Sequence, residues 1–164
     1  MANILCFSRN SCTSVEQIDD QTLRSCCRVQ DTLMDAGIEV TLKLPDLEII
    51  GIDGEIRRSV WKHEINLTET LQKVIGVRVG PGMKKIIKGL MGTSEIKKRM
   101  AFMVEESCNG VILTFTKDVL IDAPKDKSTE KEYFANMVRG NPRLYNSCAA
   151  LAPGSPLMEG IEPP

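Results

Sequence analysis

The sequence predicts an α+β fold: a single compact domain in which a small, mostly antiparallel sheet packs with three or four helices. Three observations carry that expectation. Residues 38–44 alternate apolar and polar without a break, as a half-buried strand does. Asp53-Gly54 and Asn109-Gly110 are dipeptides of the kind that close antiparallel hairpins. Asn66 and Met83 open segments with apolar residues at helical spacing, so hairpins and helices mix instead of alternating strand by helix.

Taken in order, residues 1–13 lack periodicity and are expected as a flexible N-terminal arm. Thr13 and Glu16 suit a capping box. Val15, Ile18, Leu23, Cys26, Cys27, Leu33 and Met34 follow at near-helical spacing, which predicts a helix that Gly37 ends in a left-handed conformation. Ile38, Val40, Leu42 and Leu44 form the inward side of a strand that Pro45 stops. Residues 47–52 and 55–61 are expected as a hairpin about Asp53-Gly54. Asn66 then caps a helix, with Glu69 completing its box and Leu71, Val74 and Ile75 on its apolar side.

Pro81-Gly82 marks a turn. A short helix over Met83–Met91 is expected to turn Ile86, Ile87, Leu90 and Met91 inward and Lys84, Lys85 and Lys88 outward, with Gly92 closing it. Residues 101–105 and 111–121 read as strands around Asn109-Gly110. Residues 128–138 read as an amphipathic helix carrying Tyr133, Phe134, Met137 and Val138, so the domain is expected over 14–140. From Asn141 onward come five of the eight prolines. Residues 141–164 are expected as a Pro-rich acidic tail, flexible at its end, rather than as a polyproline ligand.

The length, 164 residues, suits one domain with a modest core. Aromatic residues are only 4% of the chain, so Leu, Ile, Val and Met must fill that core, and eight methionines give it plasticity. No apolar run is long enough to span a bilayer. Residues 1–7 lack the length and the basic start of a signal peptide, so a cytosolic protein is expected. Six cysteines stand at 6, 12, 26, 27, 108 and 148 with no Cys-x-x-Cys pair and one histidine, His63. That pattern offers no metal cluster and fits reduced, packed thiols. Neither a metal nor a cofactor is expected.

Charge is distributed unevenly. Residues 57–100 hold eleven basic and three acidic side chains, a net +8, which leaves −9 for the rest of a chain whose total is −1. A concentrated positive region draws phosphate-rich partners, either an anionic membrane surface or nucleic acid. The strongest local candidate is the glycine-rich segment from Gly76 to Gly92, where a turn opens a lysine-bearing helix. It is not a nucleotide-binding loop, because Gly82 is followed by Met83 and not by Lys-Ser or Lys-Thr.

Lys97-Lys98-Arg99 is the second basic cluster. Arg78, Lys84, Lys85, Lys88, Lys97, Lys98 and Arg99 are therefore the candidate residues for binding phosphate-bearing lipid or nucleic acid. Only Trp61 and Phe102 interleave them, a weak basis for stacking single-stranded bases. His63 beside Glu64 has no local nucleophile tied to it. A non-enzymatic protein without a small-molecule substrate is the expectation. A cytosolic nucleic-acid-binding accessory protein of viral type is the leading rival, and an enzyme assembled from scattered residues such as His63 and a cysteine is the second.

The order of elements over residues 38–138 resembles the rhabdovirus matrix proteins: an early strand pair, a helix at 66–75, a Gly/Pro joint, a short basic-apolar helix, a hairpin and a last helix. The segment Lys85-Ile-Ile-Lys-Gly-Leu-Met-Gly-Thr-Ser-Glu-Ile96 carries the closest local likeness. In size the chain is similar to the short matrix proteins of plant cytoplasmic rhabdoviruses. The resemblance implies a structural protein of the virion and the host cytoplasm that self-associates, condenses nucleocapsid, lies peripherally on membrane and serves budding. The animal-virus members differ in having a strongly basic N-terminal arm and a Pro-Pro-x-Tyr peptide. Residues 1–40 here hold three basic and six acidic side chains, and that peptide is absent. An acidic N-terminal helix or tail of one copy meeting the basic face of another is the expected mode of self-association.

Overall fold

Every second side chain from Leu23 to Asp31 and from Met34 to Leu42 is buried, and a period of two builds a sheet. The structure, a computed structural model, describes residues 5–61, 65–140, 142–146 and 148–160. Strands β1 (Arg9–Asp19), β2 (Thr22–Asp31), β3 (Met34–Lys43) and β4 (Glu48–Ser59) form one antiparallel sheet in the order β1-β2-β3-β4. Helices α1 (Leu67–Gln72), α2 (Met83–Met91), α3 (Glu95–Asp122) and α4 (Lys127–Gly140) follow, then 3-10 turns at Pro142–Leu144 and Ala149–Leu151. The α+β class and the antiparallel sheet are those the sequence predicts. The chain divides into two compact units, Met1–Val79 with Met83–Thr114, and Gly80–Gly82 with Phe115–Pro164.

In the first unit the inner face of the sheet packs on the helices. Leu23, Val40, Leu42 and Ile49 from the strands meet Leu71, Met83, Ile87, Met91, Met100 and Val104 from the helices in one core. Five methionines, Met34, Met83, Met91, Met100 and Met103, are buried there, where flexible thioethers fill gaps that the few aromatics leave. Asn66 caps α1 as expected, its Oδ1 accepting from Glu69 N at 3.0 Å. The strand over 38–44 also lies where the alternation puts it.

Three expectations are corrected. No helix occupies the segment from Thr13 to Gly37: β1, β2 and the start of β3 lie there. The inward positions of β2 include two polar residues, Ser25 and Asp31, and these break the apolar alternation that would have declared a strand. Ser25 Oγ donates to Ser107 O at 3.0 Å, which makes its burial affordable in hydrogen-bond terms. An acidic N-terminal helix is therefore not present to meet a basic face. Gly37 is likewise not a helix end but a mid-strand residue of β3, opposite Glu55.

Asp53-Gly54 is not a turn. It lies inside β4, and a Cβ on Gly54 would stand 2.9 Å from Leu71 Cδ1 and 3.0 Å from Gly37 O. The glycine is there for close approach of α1, not for a bend. Residues 101–105 and 111–121 are not strands but the body of α3. Buried Ile96, Met100, Met103, Val104, Ser107, Cys108 and Val111 recur every three to four residues, a helical stripe. Gly110 lets that helix approach β1, since a Cβ would stand 2.9 Å from Thr13 Cγ2.

In the second unit α4 lies where the sequence predicts a helix. Tyr133 Oη donates to Val119 O at 3.1 Å. Val138, Leu151 and Met158 are buried together, with Met137, Leu144, Tyr145 and Leu157 packed around them. Residues 142–160, within the segment expected as a tail, thus contribute two of these buried side chains. Pro153-Gly154-Ser155-Pro156 has the spacing of a polyproline ligand, but Gly154 at φ +82° turns the segment.

Candidate functional site

Met83, Ile87 and Met91 recur every four residues along α2 and are buried, so they fix the helix to the core. Lys84, Lys85 and Lys88 are exposed, as expected. Ile86 and Leu90 are not inward: they are 51% and 39% exposed. At about 100° per residue, Lys84 and Lys88 flank the buried stripe on one side, Ile86 and Leu90 flank it on the other, and Lys85 points away from the core. The outer surface of α2 therefore carries cations along one flank and its crest, and solvent-facing branched apolar side chains along the other flank.

The remaining candidates fare differently. Arg78 forms a bridge with Glu48 of β4, its Nε 3.5 Å from Glu48 Oε2. Lys98 Nζ is 2.7 Å from Glu95 Oε1, one turn earlier in α3. Hydrogen bonding to Lys98 and then its charge hold the Glu95 carboxyl below its usual range. Lys88 Nζ is 3.6 Å from Glu105 Oε1, a buried carboxylate of α3. Lys97 is half-buried. Among the described residues, Lys84, Lys85 and Lys97 have no carboxylate partner. The seven candidates do not form one field of free cations: four of them are paired with acids.

Arg99 belongs to a cluster that the sequence did not reveal. Asp31, buried at the β2–β3 turn, accepts at Oδ1 from Leu33 N (2.8 Å) and Met34 N (2.7 Å). Its Oδ2 accepts from Arg9 Nη2 at 2.8 Å and Arg99 Nη1 at 3.4 Å. The Arg99 guanidinium also lies 4.4 Å from the centre of the Trp61 ring, in range of a cation–π contact. Arg58 donates to the carbonyls of Asp31 and Thr32. Burial alone would raise the Asp31 carboxyl; Arg9 and the two backbone N–H groups outweigh it and hold the group below its usual range.

A groove of about 340 Å³ runs beside this cluster, lined among others by Arg9, Lys98, Arg99 and Phe102. Its three cations are already engaged with Asp31 and Glu95.

A shallower trough of about 390 Å³ crosses the outer face of the sheet between Cys26, Glu39, Asp53 and Glu55. Burial first, then the Glu39 charge, raise the Cys26 thiol, the wrong direction for a nucleophile. Cys108 is pushed up to about 12 by burial and then by Glu105. His63 and Glu64 lie outside the described residues. Among the described residues no group of three or more His, Cys, Asp or Glu side chains could hold a metal ion, and no helix is long and apolar enough to cross a membrane.

No protein-family model, no curated protein and no solved structure matches the chain.

Proposed function

We propose that this chain is a non-enzymatic, matrix-like structural protein of a virion, one that self-associates and lies peripherally between nucleocapsid and an anionic membrane. In this proposal α2 is the lipid-facing element. The observation that carries it is the exposed arc of α2, which Lys84 and Lys85, free of acid partners among the described residues, share with exposed Ile86 and Leu90 on the opposite flank. Lysines draw anionic head groups, and adjacent apolar side chains sink into the head-group boundary. That pairing favours lipid over nucleic acid, whose phosphates offer nothing to an isoleucine or a leucine.

The magnitudes set the mode of action. Each lysine near an anionic surface contributes about 1 kcal/mol, so Lys84 and Lys85, the two exposed α2 lysines without an acid partner among the described residues, together give roughly 2 kcal/mol. One copy holds a membrane weakly, and an assembled layer holds it firmly through multivalency. Co-sedimentation with phosphatidylserine vesicles across a salt series tests the proposal. Expected is pelleting with anionic vesicles that salt reverses, abolished by Lys84→Glu/Lys85→Glu and weakened by Ile86→Ser. Equal pelleting with neutral vesicles overturns it. RNA binding that the lysine variant abolishes and Ile86→Ser leaves intact would assign the face to nucleic acid instead.

A further inference from the structure

We infer that the outer edge of β1 pairs antiparallel with the β1 edge of a second copy, joining two four-stranded sheets about a two-fold axis. The phase of the ladder shows which backbone groups are free to do this. Thr32 N donates to Ser8 O at 3.1 Å, and β1 and β2 keep one register from Arg9↔Asp31 to Gln17↔Leu23. Antiparallel partners alternate between hydrogen-bonded and non-bonded pairs. The even-numbered residues of β1 therefore bond to β2. The N–H and C=O groups of Arg9, Ser11, Thr13, Val15 and Gln17 point away from the sheet. Leu44 N donating to Gln21 O fixes the same phase on the far side of β2.

Edge strands are normally blunted by lysine, proline, bulges or a covering segment. The other edge of this sheet is blunted. β4 carries two register irregularities against β3, and at its start Ile49 N donates to Val77 O, Gly76 N to Ile49 O and Val79 N to Leu47 O. Among the described residues, β1 has none of these devices over nine consecutive residues; its one irregularity lies between Gln17 and Asp19. It contains neither lysine nor proline. All its residues are exposed except Val15, which is half-buried.

A second copy fits this edge for two reasons. An antiparallel two-fold brings the Arg9 end of one strand, where Arg9, Arg58 and Arg99 gather about the single carboxylate residue Asp31, toward the other strand's end at Glu16, Asp19 and Asp20, so a net positive end meets a net negative one. One open edge and one blunted edge also limit this sheet-to-sheet contact to pairs of chains, as an isologous contact does, where two open edges would propagate a fibre.

The inference is independent of the lipid-binding proposal, and its test uses the full chain in reducing buffer without lipid or RNA. Sedimentation is expected to show a concentration-dependent dimer. NMR-resolved hydrogen exchange is expected to show the Ser11, Thr13 and Val15 amides slowing by at least about tenfold as the dimer forms, while Cys12 and Ser14 stay protected throughout. Ser11→Pro removes one outward N–H. Cys12→Lys places a charge on the solvent-facing side and leaves every β1–β2 hydrogen bond in place. Each is expected to weaken the dimer about tenfold or more. A chain that stays monomeric at hundreds of micromolar overturns the inference. So does a dimer whose odd-numbered β1 amides remain fast, or one indifferent to both variants.

Discussion

Asp31 shows how one buried carboxylate ties three elements together. Its two oxygens take up the N–H groups of the β2–β3 turn and the guanidinium groups of Arg9 on β1 and Arg99 on α3. Breaking a fully buried ion pair costs about 3–5 kcal/mol, but the Arg9 and Arg99 side chains are 46% and 26% exposed, so solvent screens part of it. Asp31→Asn is expected to destabilise the fold by about 1–3 kcal/mol, measured as a shift in the urea midpoint at neutral pH.

The pH dependence of this contribution has a definite sign. The folded-state carboxyl lies below the usual range, so on acidification the unfolded chain takes up its proton first. The contribution is complete above the ordinary aspartate value of about 3.9 and is lost as pH falls through the lower folded value. Urea midpoints of Asp31→Asn and the parent should draw together as pH falls from about 3.9 through the lower folded value. A gap of constant size throughout that acid range would remove the ionic account of Asp31. Nothing in the order of residues betrays this cluster, because Arg9 and Arg99 are ninety positions apart and only the fold makes them share an oxygen.

At the scale of elements, glycine decides what the local pattern misreads. Asn66 and Glu69, the alternation of 38–44 and the glycine-flanked basic helix are local devices, and all three are legible in the residues. Asp53-Gly54 and Asn109-Gly110 have the chemistry of turns, yet each glycine marks a place where a helix presses on the sheet. The β-branched and aromatic run from Val111 to Thr116 carries a strand propensity that the helical stripe from Ile96 to Val111 overrides. That stripe was readable; the polar inward residues Ser25 and Asp31 made β2 unreadable.

Adding a methyl group therefore has opposite effects at two glycines. Gly54→Ala should cost about 1–3 kcal/mol through overpacking against Leu71 and the Gly37 carbonyl. Gly89→Ala in α2, where an added Cβ meets nothing within 4 Å, should stabilise by up to about 1 kcal/mol through helix propensity. Thermal or urea denaturation of the two variants checks both signs. A neutral Gly54→Ala would mean that α1 does not sit against β4 as described.

Across the whole molecule, the division into a +8 middle and −9 remainder overstates the free positive charge. The fold brings Glu48 to Arg78, Glu105 to Lys88 and Asp31 to Arg99, acids drawn from both sides of the basic region and from within α3. Formal charge counts from sequence include every such cation; the surface potential does not. Vesicle binding should then depend on position, not on count. Lys84→Gln and Lys85→Gln should each weaken binding to anionic vesicles about fivefold, the equivalent of about 1 kcal/mol. Arg78→Gln and Lys98→Gln remove the same formal charge but free Glu48 and Glu95, and should change it less than the α2 lysines do. Co-sedimentation of the four single variants at one ionic strength separates these outcomes. Equal losses in all four would mean that net charge, and not the outer surface of α2, governs attachment.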